Sequence, residues 1–454
     1  MDHTIERVSR YVAGLSYDHL TPSSIQACKL RVIDSLGCAL GAFAAEPVVI
    51  ARDIAFRATA EKGACVIGST QQTLPELAAF ANGVMVRYLD GNDTFPGGGG
   101  HPSDVVAPVL AVGQYTHSDG RAVITALAAA YEVYQAFFRG GIMREKGLDH
   151  VFYTAVASAA GTAKLLGLAG EQTMQAVSLA VTPNIALHAT RRGDLSMWKG
   201  CAAPNAARNG VFAALLAQRG MTGPEHAIEG SHGLRELLGK FDMPALATPG
   251  ERYAVENSNL KYFLSEYHSQ SPIAHALELS REVSADDIEQ IVIHTYWFAW
   301  SEIGSEPEKW HPTTRESADH SLPFIVAAVM RERSFSDAVF GEDRLRDEAI
   351  HALADKVVVK ENADFTRDFP EKIRCRVEVI LNDGRTFTRE SEYPRGHVKN
   401  PMSEGEVEEK FHTLASRVLS AEQIAESLEL LGGFQKLSNI DPLFGAMRIA
   451  PLSR

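Results

Sequence analysis

Residues able to move protons or hold anions fall in a few short polar stretches. The densest runs from Tyr88 and Leu89 through Asp90, Gly91, Asn92, Asp93, Thr94, Phe95 and Pro96 to the Gly97–Gly100 run and then His101, Pro102, Ser103 and Asp104. An imidazole at a helix entrance, where unpaired N–H groups and the helix dipole favour an anion, can transfer protons near neutral pH beside a bound carboxylate. The plainer reading is a flexible surface turn with a structural histidine. No Gly-Lys-Ser or Gly-Lys-Thr follows the glycines, so a P-loop is rejected.

Other stretches repeat the theme. Gly147-Leu148-Asp149-His150-Val151 sets a second histidine before a helix, and the two histidines are candidates to face one cavity. The segment Arg191-Arg192-Gly193-Asp194 through Trp198-Lys199-Gly200-Cys201 is basic in an acidic chain. Lys199, read as lying in an apolar loop, needs an anionic partner, either an internal carboxylate or a substrate. Lys261 opens a run in which Glu266, His268 and Gln270 alternate, so an extended stretch turns all three to one side. Arg315, Glu316 and Asp319 read as a surface charge cluster, with His320-Ser321 at the entrance of the next helix.

The elements that position these groups are mostly helical. Ile5, Val8, Val12 and Leu15 recur at helical spacing, Thr21-Pro22 caps a second helix, and Pro75 to Leu89 delivers Asp90 at a helix end. Further helices are expected over 122–138, 151–168, 171–181 and 205–219, rich in alanines that permit close approach, with no convincing strand before about residue 260. After 285 the period changes: residues 291–293, 357–359 and 374–381 read as strands, Asp383-Gly384 as a hairpin turn, and helices near 321–331 and 344–353 interleave. Helical spacing returns from Ser403. The expected architecture is mainly α: an all-helical domain over 1–265 and 400–454, a smaller α+β lid over 266–399, and a hinge at Pro394 to Pro401.

A chain of 454 residues is long enough for two such domains. Its 44 basic and 57 acidic residues give a net charge of −13, which argues against nucleic acid and anionic membranes and requires cations for any anionic substrate to be gathered locally. No apolar run approaches the roughly 18 residues of a membrane span, and the first ten residues lack the apolar core of a signal peptide, so a cytoplasmic protein is expected. Five cysteines without a C-x-x-C make disulfide, zinc and iron–sulfur readings weak.

The ordered set of motifs resembles the MmgE/PrpD family from about residue 5 to residue 430. The matching pieces are Leu89-Asp90, Asn92-Asp93-Thr94, His101-Pro102-Ser103-Asp104, Met197-Trp198-Lys199-Gly200, Met221-Thr222-Gly223-Pro224 and Lys261. Residues 147–151, 196–202, 266–270 and 314–323 are most similar to the 2-methylcitrate dehydratase branch. The resemblance implies a helical domain with an inserted lid, a homodimer, no metal or organic cofactor, and a site between the domains. It implies dehydration of 2-methylcitrate or a related tricarboxylate, with epimerisation or decarboxylation of a related acid as the alternative.

By position, Asp90, Thr94, His101, His150, Lys199 and Lys261 resemble the family's active-site residues. Arg192, Glu266, His268, Gln270 and His320 are the further candidates for substrate contact. The expected mechanism gives His101 the proton transfer with Asp90 orienting it, has His150 and Thr94 place the leaving hydroxyl, and has both lysines hold substrate carboxylates. The glycine run is expected to act as a hinge. Two departures stand out: Gly91 replaces a frequent aromatic, and Phe324 replaces a common tyrosine whose hydroxyl would be lost to a substrate oxygen.

Overall fold

The computed structural model describes residues 2–450 apart from 98, 141, 142, 144, 145 and 240. The chain opens with helices α1 (His3–Gly14), α2 (Pro22–Gly41), α3 (Glu46–Ala55), α4 (Pro75–Tyr88), α5 (Val106–Tyr115), α6 (Gly120–Gly140), α7 (Val151–Leu165), α8 (Gly170–Val181) and α9 (Trp198–Gln218). The Thr21 hydroxyl accepts the Ser24 N–H at 3.1 Å and Pro22 occupies the first helical position, which is why α2 starts where it does. Helix α7 buries Ala155, Ala157, Ala159 and Ala160. Those small side chains bring α9 so close that a methyl on Gly210 would collide with the Ala155 carbonyl.

Helix α9 begins seven residues earlier than expected and runs through Gly200 and Pro204, residue types that ordinarily interrupt helices. Pro204 is buried inside the helix, and a Cβ on Gly83 of α4 would lie 3.0 Å from its ring, so packing overrides propensity. Lys199 therefore stands on the first turn of a helix rather than in a loop. Strands β1 (Ala64–Cys65) and β2 (Gln72–Thr73) form an antiparallel pair too short to announce itself in sequence.

The second region holds β3 (Ile288–Thr295), β4 (Val357–Glu361), β5 (Cys375–Leu381) and β6 (Thr386–Ser391) in the order β4-β3-β5-β6. β3 runs parallel to β4 and antiparallel to β5, and the β5–β6 hairpin turns at Gly384 with φ of 84°. Cys375, Val377, Val379 and Leu381 alternate inward along β5 and share a core with Ile273 and Leu279 of one helix and Leu322, Ile325 and Val329 of another. The helix expected over 344–353 is split into Glu342–Leu345 and Glu348–Ala354, the second capped by Asp347.

Helices Glu404–Ala415 and Ala421–Gly432 return to the first core, adding Val407, Phe411, Leu414, Ile424 and Leu431. Phe411 packs on α2 so tightly that a Cβ on Gly37 would sit 3.1 Å from its Cα, and burying that ring contributes about 1.5–3 kcal/mol. The fold is mainly α, as expected. Among the described residues no single helix is long and apolar enough to cross a membrane, and all five cysteines are buried thiols.

Candidate active site

A cavity of about 550 Å³ lies where the helical region meets the sheet-containing region. From the first region it receives Arg87 of α4, Gly97, Gly99, His101, His150, His188, Arg191 and Arg192; from the second, Glu266, His268, Glu302 and His320. Three arginines line this cavity in a chain of net charge −13, together with five histidines and the carboxyls of Glu266 and Glu302.

The two sequence-picked histidines meet. The rings of His101 and His150 lie 5.5 Å apart, edge to face. His101 Nδ1 lies 2.8 Å from the Asp93 carbonyl oxygen, which can only accept, so the neutral ring carries its proton on Nδ1 and leaves the Nε2 lone pair free. Burial, then Arg87 and Lys261, push its pKa well below that of an ordinary imidazole. The His101 ring is thus neutral at physiological pH.

His150 is built differently: its Nδ1 faces Asp149 Oδ1 at 2.9 Å, and Arg191 Nε holds the other Asp149 oxygen at 3.0 Å. Burial lowers its pKa while Asp149 opposes that shift, so the imidazolium has a partner that His101 lacks. Arg191 and His150 in turn overcome burial and hold the Asp149 carboxyl well below its usual range. His150 Nε2, Arg87 Nε and Arg191 Nη2 are buried without a hydrogen-bond partner among the described residues. Buried polar atoms are rarely left so, and these belong to side chains that line one cavity.

Behind the wall sits a charge cluster. Asp90 has φ of 50°, the left-handed region that costs a non-glycine residue about 1–2 kcal/mol. Arg87 Nη1 at 2.7 Å from Asp90 Oδ1, and Lys261 Nζ on both Asp90 oxygens of backbone and side chain, over-determine that conformation. Lys199 Nζ lies 2.5 Å from Asp319 Oδ1 and 3.4 Å from Asp90 Oδ2. Burial would raise Asp90, but Arg87, Lys261 and Lys199 hold it well below the carboxylate range; Lys199 and His320 do the same for Asp319. Asp90, Asp319 and His320 bring potential ligand atoms within 4.8 Å of one another, and the lysine ammonium groups supply the cations there.

The structure changes several assigned roles. Lys199 and Lys261 take internal aspartates as partners and are not among the residues lining the cavity, whereas Arg87, Arg191 and Arg192 are. The Asp93 carbonyl, not Asp90, orients His101. Thr94 Oγ1 donates to the Gly100 carbonyl at 3.0 Å and its backbone pairs with Asn259, which closes the glycine loop rather than placing a hydroxyl. Residue 98 of that loop lies outside the described residues.

Tyr267–Ser269 forms a 3-10 turn rather than an extended strand, so Glu266 and His268 reach the cavity while Gln270 turns back to bond the Phe263 N–H and carbonyl. Arg192 stands at the rim, 47% exposed, facing Glu306 at 3.5 Å. His320 reaches the cavity with Nδ1 on Asp319 at 2.6 Å, and Asp319 is fully buried rather than a surface charge. Phe324 is buried in the second core against His351 and is not among the residues lining the cavity. A Cβ at Gly91 would lie 2.5 Å from the end of the Leu264 side chain, so a side chain there requires Leu264 to move.

Arg87 and Lys410 are not singled out in the sequence, Asp93 is named there only within its motif, and Asp319 only as part of a surface charge cluster. Lys410, on a C-terminal helix, donates to Asp34 at 2.6 Å and to the carbonyls of Gly91 and Lys261 at 2.7 Å, tying the tail to the Asp90 turn. Only the i,i+3 spacing of Arg87 and Asp90 on a helix end signalled any of these contacts.

The helical and sheet-containing regions thus meet at a cavity that holds three arginines and two differently supported imidazoles. The chain belongs to the MmgE/PrpD family, whose N-terminal domain matches residues 6–244 and C-terminal domain residues 263–431. It is 31% identical to a 2-methylcitrate dehydratase of Cupriavidus necator over 446 residues, covering 91% of this chain and 89% of that one. It is 29% identical to the 2-methylcitrate dehydratase of Salmonella typhimurium over 426 residues, 88% and 86% of the two chains. An alkylcitrate dehydratase of a fungal species is 28% identical over 446 residues, 90% and 87%.

Proposed function

We propose that this protein is a hydro-lyase that dehydrates 2-methylcitrate or a closely related tricarboxylate to an aconitate-type alkene. The observation that carries the reading is the convergence of His101 Nε2, His150 Nε2, Arg87 and Arg191 on one cavity. His101, neutral and oriented by the Asp93 carbonyl, takes the C–H proton beside a carboxylate. Arg87 and Arg191 hold carboxylates and balance the charge that develops. His150 is the more readily protonated ring because Asp149 supports its imidazolium, and it delivers a proton to the departing hydroxyl, which leaves as water.

The lysines act one layer back. Lys261 and Arg87 fix the Asp90 turn, and Lys199 neutralises Asp319 behind His320, so the cavity wall keeps its charge balance when a trianion enters. Gly97 and Gly99, at φ of 96° and 68°, give the His101 loop the backbone freedom of a hinge during closure. A homodimer is part of the proposal; exposed Leu187, Met197, Trp198, Phe212 and Met221 support it and sedimentation measures it.

The test is product analysis by NMR after incubation with 2-methylcitrate, citrate and cis-aconitate. Appearance of the alkene from 2-methylcitrate is expected. Stereochemical scrambling without an alkene, or loss of carbon dioxide from cis-aconitate alone, overturns dehydration.

A further inference from the structure

The cavity is chemically two-sided. From the helical region it receives the guanidinium groups of Arg87, Arg191 and Arg192, which can only donate hydrogen bonds. From the second region it receives Glu266, Glu302, His268 and His320. The Glu302 carboxylate is met by Arg192 at 3.9 Å, but Glu266 has no lysine or arginine within ion-pair range among the described residues. Glu266 Oε2 accepts the His268 N–H at 2.6 Å, while Oε1 faces His268 Nε2 only at 3.7 Å. Burial raises the Glu266 pKa, with His320 and Lys261 opposing.

A carboxylate in a cavity for anions must meet a part of the ligand that is not a carboxylate, because like charges repel and neither brings the other a donor. A citrate-type acid has three carboxylates, which only accept hydrogen bonds, and one hydroxyl, which donates. We infer that Glu266 is the specificity-determining residue for that hydroxyl: Oε1 accepts its hydrogen bond and turns it away from the arginine wall, where the carboxylates bind. This inference rests on the dehydratase reading above for the identity of the hydroxy acid, and it adds the orientation of that acid in the cavity. The hydroxyl oxygen, donating to Glu266, keeps its lone pairs for the proton that His150 delivers. When the C–O bond breaks, its electron pair stays on that oxygen, and the water formed leaves hydrogen-bonded to Glu266. The plainer role of Glu266, a cap on the 3-10 turn at Tyr267–Ser269, uses Oε2 alone.

The experiment measures by calorimetry the binding of 2-methylcitrate and of its deoxy analogue, butane-1,2,3-tricarboxylate, to a His101→Ala parent in which turnover is stopped. A hydrogen bond to a charged acceptor predicts that the hydroxy acid binds about 10–150-fold tighter. Glu266→Gln in that parent removes the charge, keeps an oxygen for the His268 N–H, and is expected to bring the two affinities to within about threefold. Glu266→Asp, which withdraws the carboxylate by one methylene, is the second variant and is expected to lower the ratio by at least about threefold. Equal binding of the two acids by the parent overturns the inference. So does a ratio that either folded variant leaves unchanged, which is the result a mere cap predicts. A wild-type chain that forms no alkene from 2-methylcitrate while the ratio holds overturns the dehydratase reading and leaves the hydroxyl contact standing. Binding of neither acid overturns both.

Discussion

Replacing Lys199 by Met separates a lysine that grips substrate from one that neutralises the wall. Its Nζ is 2.5 Å from Asp319 and 3.4 Å from Asp90, with Lys199 only 3% exposed and Asp319 fully buried. Removing one member of a buried ion pair strands the other and costs about 3–5 kcal/mol. Here Asp90 retains Lys261 and Arg87, so the stranded charge is Asp319, with His320 Nδ1 at 2.6 Å as its nearest remaining partner.

In the wild type, burial and then Lys199 hold the His320 pKa below its ordinary 6.5. Without Lys199 the ring keeps Asp319 as its partner, so its pKa is expected to rise relative to the wild type although burial still opposes the charged form. A folded-state pKa higher than that of the wild type lets the variant lose less to proton binding as pH falls, so the difference between the two narrows at low pH. The variant should therefore lose about 3–5 kcal/mol at pH 8, and visibly less at pH 5.5, in urea unfolding monitored by circular dichroism. A loss under about 1 kcal/mol, or one independent of pH, refutes the reasoning. A stable variant whose KM alone rises would restore Lys199 as a substrate contact.

Other perturbations read other parts of the wall. Asp149→Asn removes the carboxylate that supports a charged His150 and favours the wrong tautomer, so kcat should fall about 10²–10⁴-fold in folded protein; a change within about twofold denies the dyad. Asp104 is buried with Oδ2 unpartnered, and burial raises its pKa to about 7, above the unfolded 3.8, so its folded state loses stability as pH rises from 3.8 through 7. Asp104→Asn should flatten that slope and raise the urea midpoint at pH 8 more than at pH 5; an equal shift at both pH values contradicts the assignment. Gly99→Ala, in open space but at φ of 68°, should lower kcat more than it lowers stability if the loop is a hinge, and the reverse ranking removes that role.

The helical periods of α1, α2, α4, α6 and α7, the inward alternation of β5 and the Gly384 turn were all readable, because each depends on neighbours in sequence. Helix α9 was read short because Pro204 is tolerated only through its packing on Gly83, a contact between distant segments. The same limit explains the site. That His101 and His150 face one space was anticipated from two similar helix entrances. What each lysine touches was not, since the Lys199–Asp319 pair spans 120 positions and the Lys261–Asp90 pair 171. Asp93 orients His101 through its backbone carbonyl, an atom that every residue carries and no residue type betrays. Gln270 was misplaced because a single 3-10 turn at Tyr267–Ser269 breaks the alternation on which its position was inferred.

The central claim is that a neutral His101 removes the carbon-bound proton in a dehydration. Its most direct test follows the ultraviolet absorbance of a new conjugated alkene from 2-methylcitrate with the wild-type chain and with folded His101→Ala. The account predicts a rising trace for the wild type, slowed by about 10²–10⁴-fold in the variant. A flat wild-type trace, or a variant that keeps pace, contradicts it.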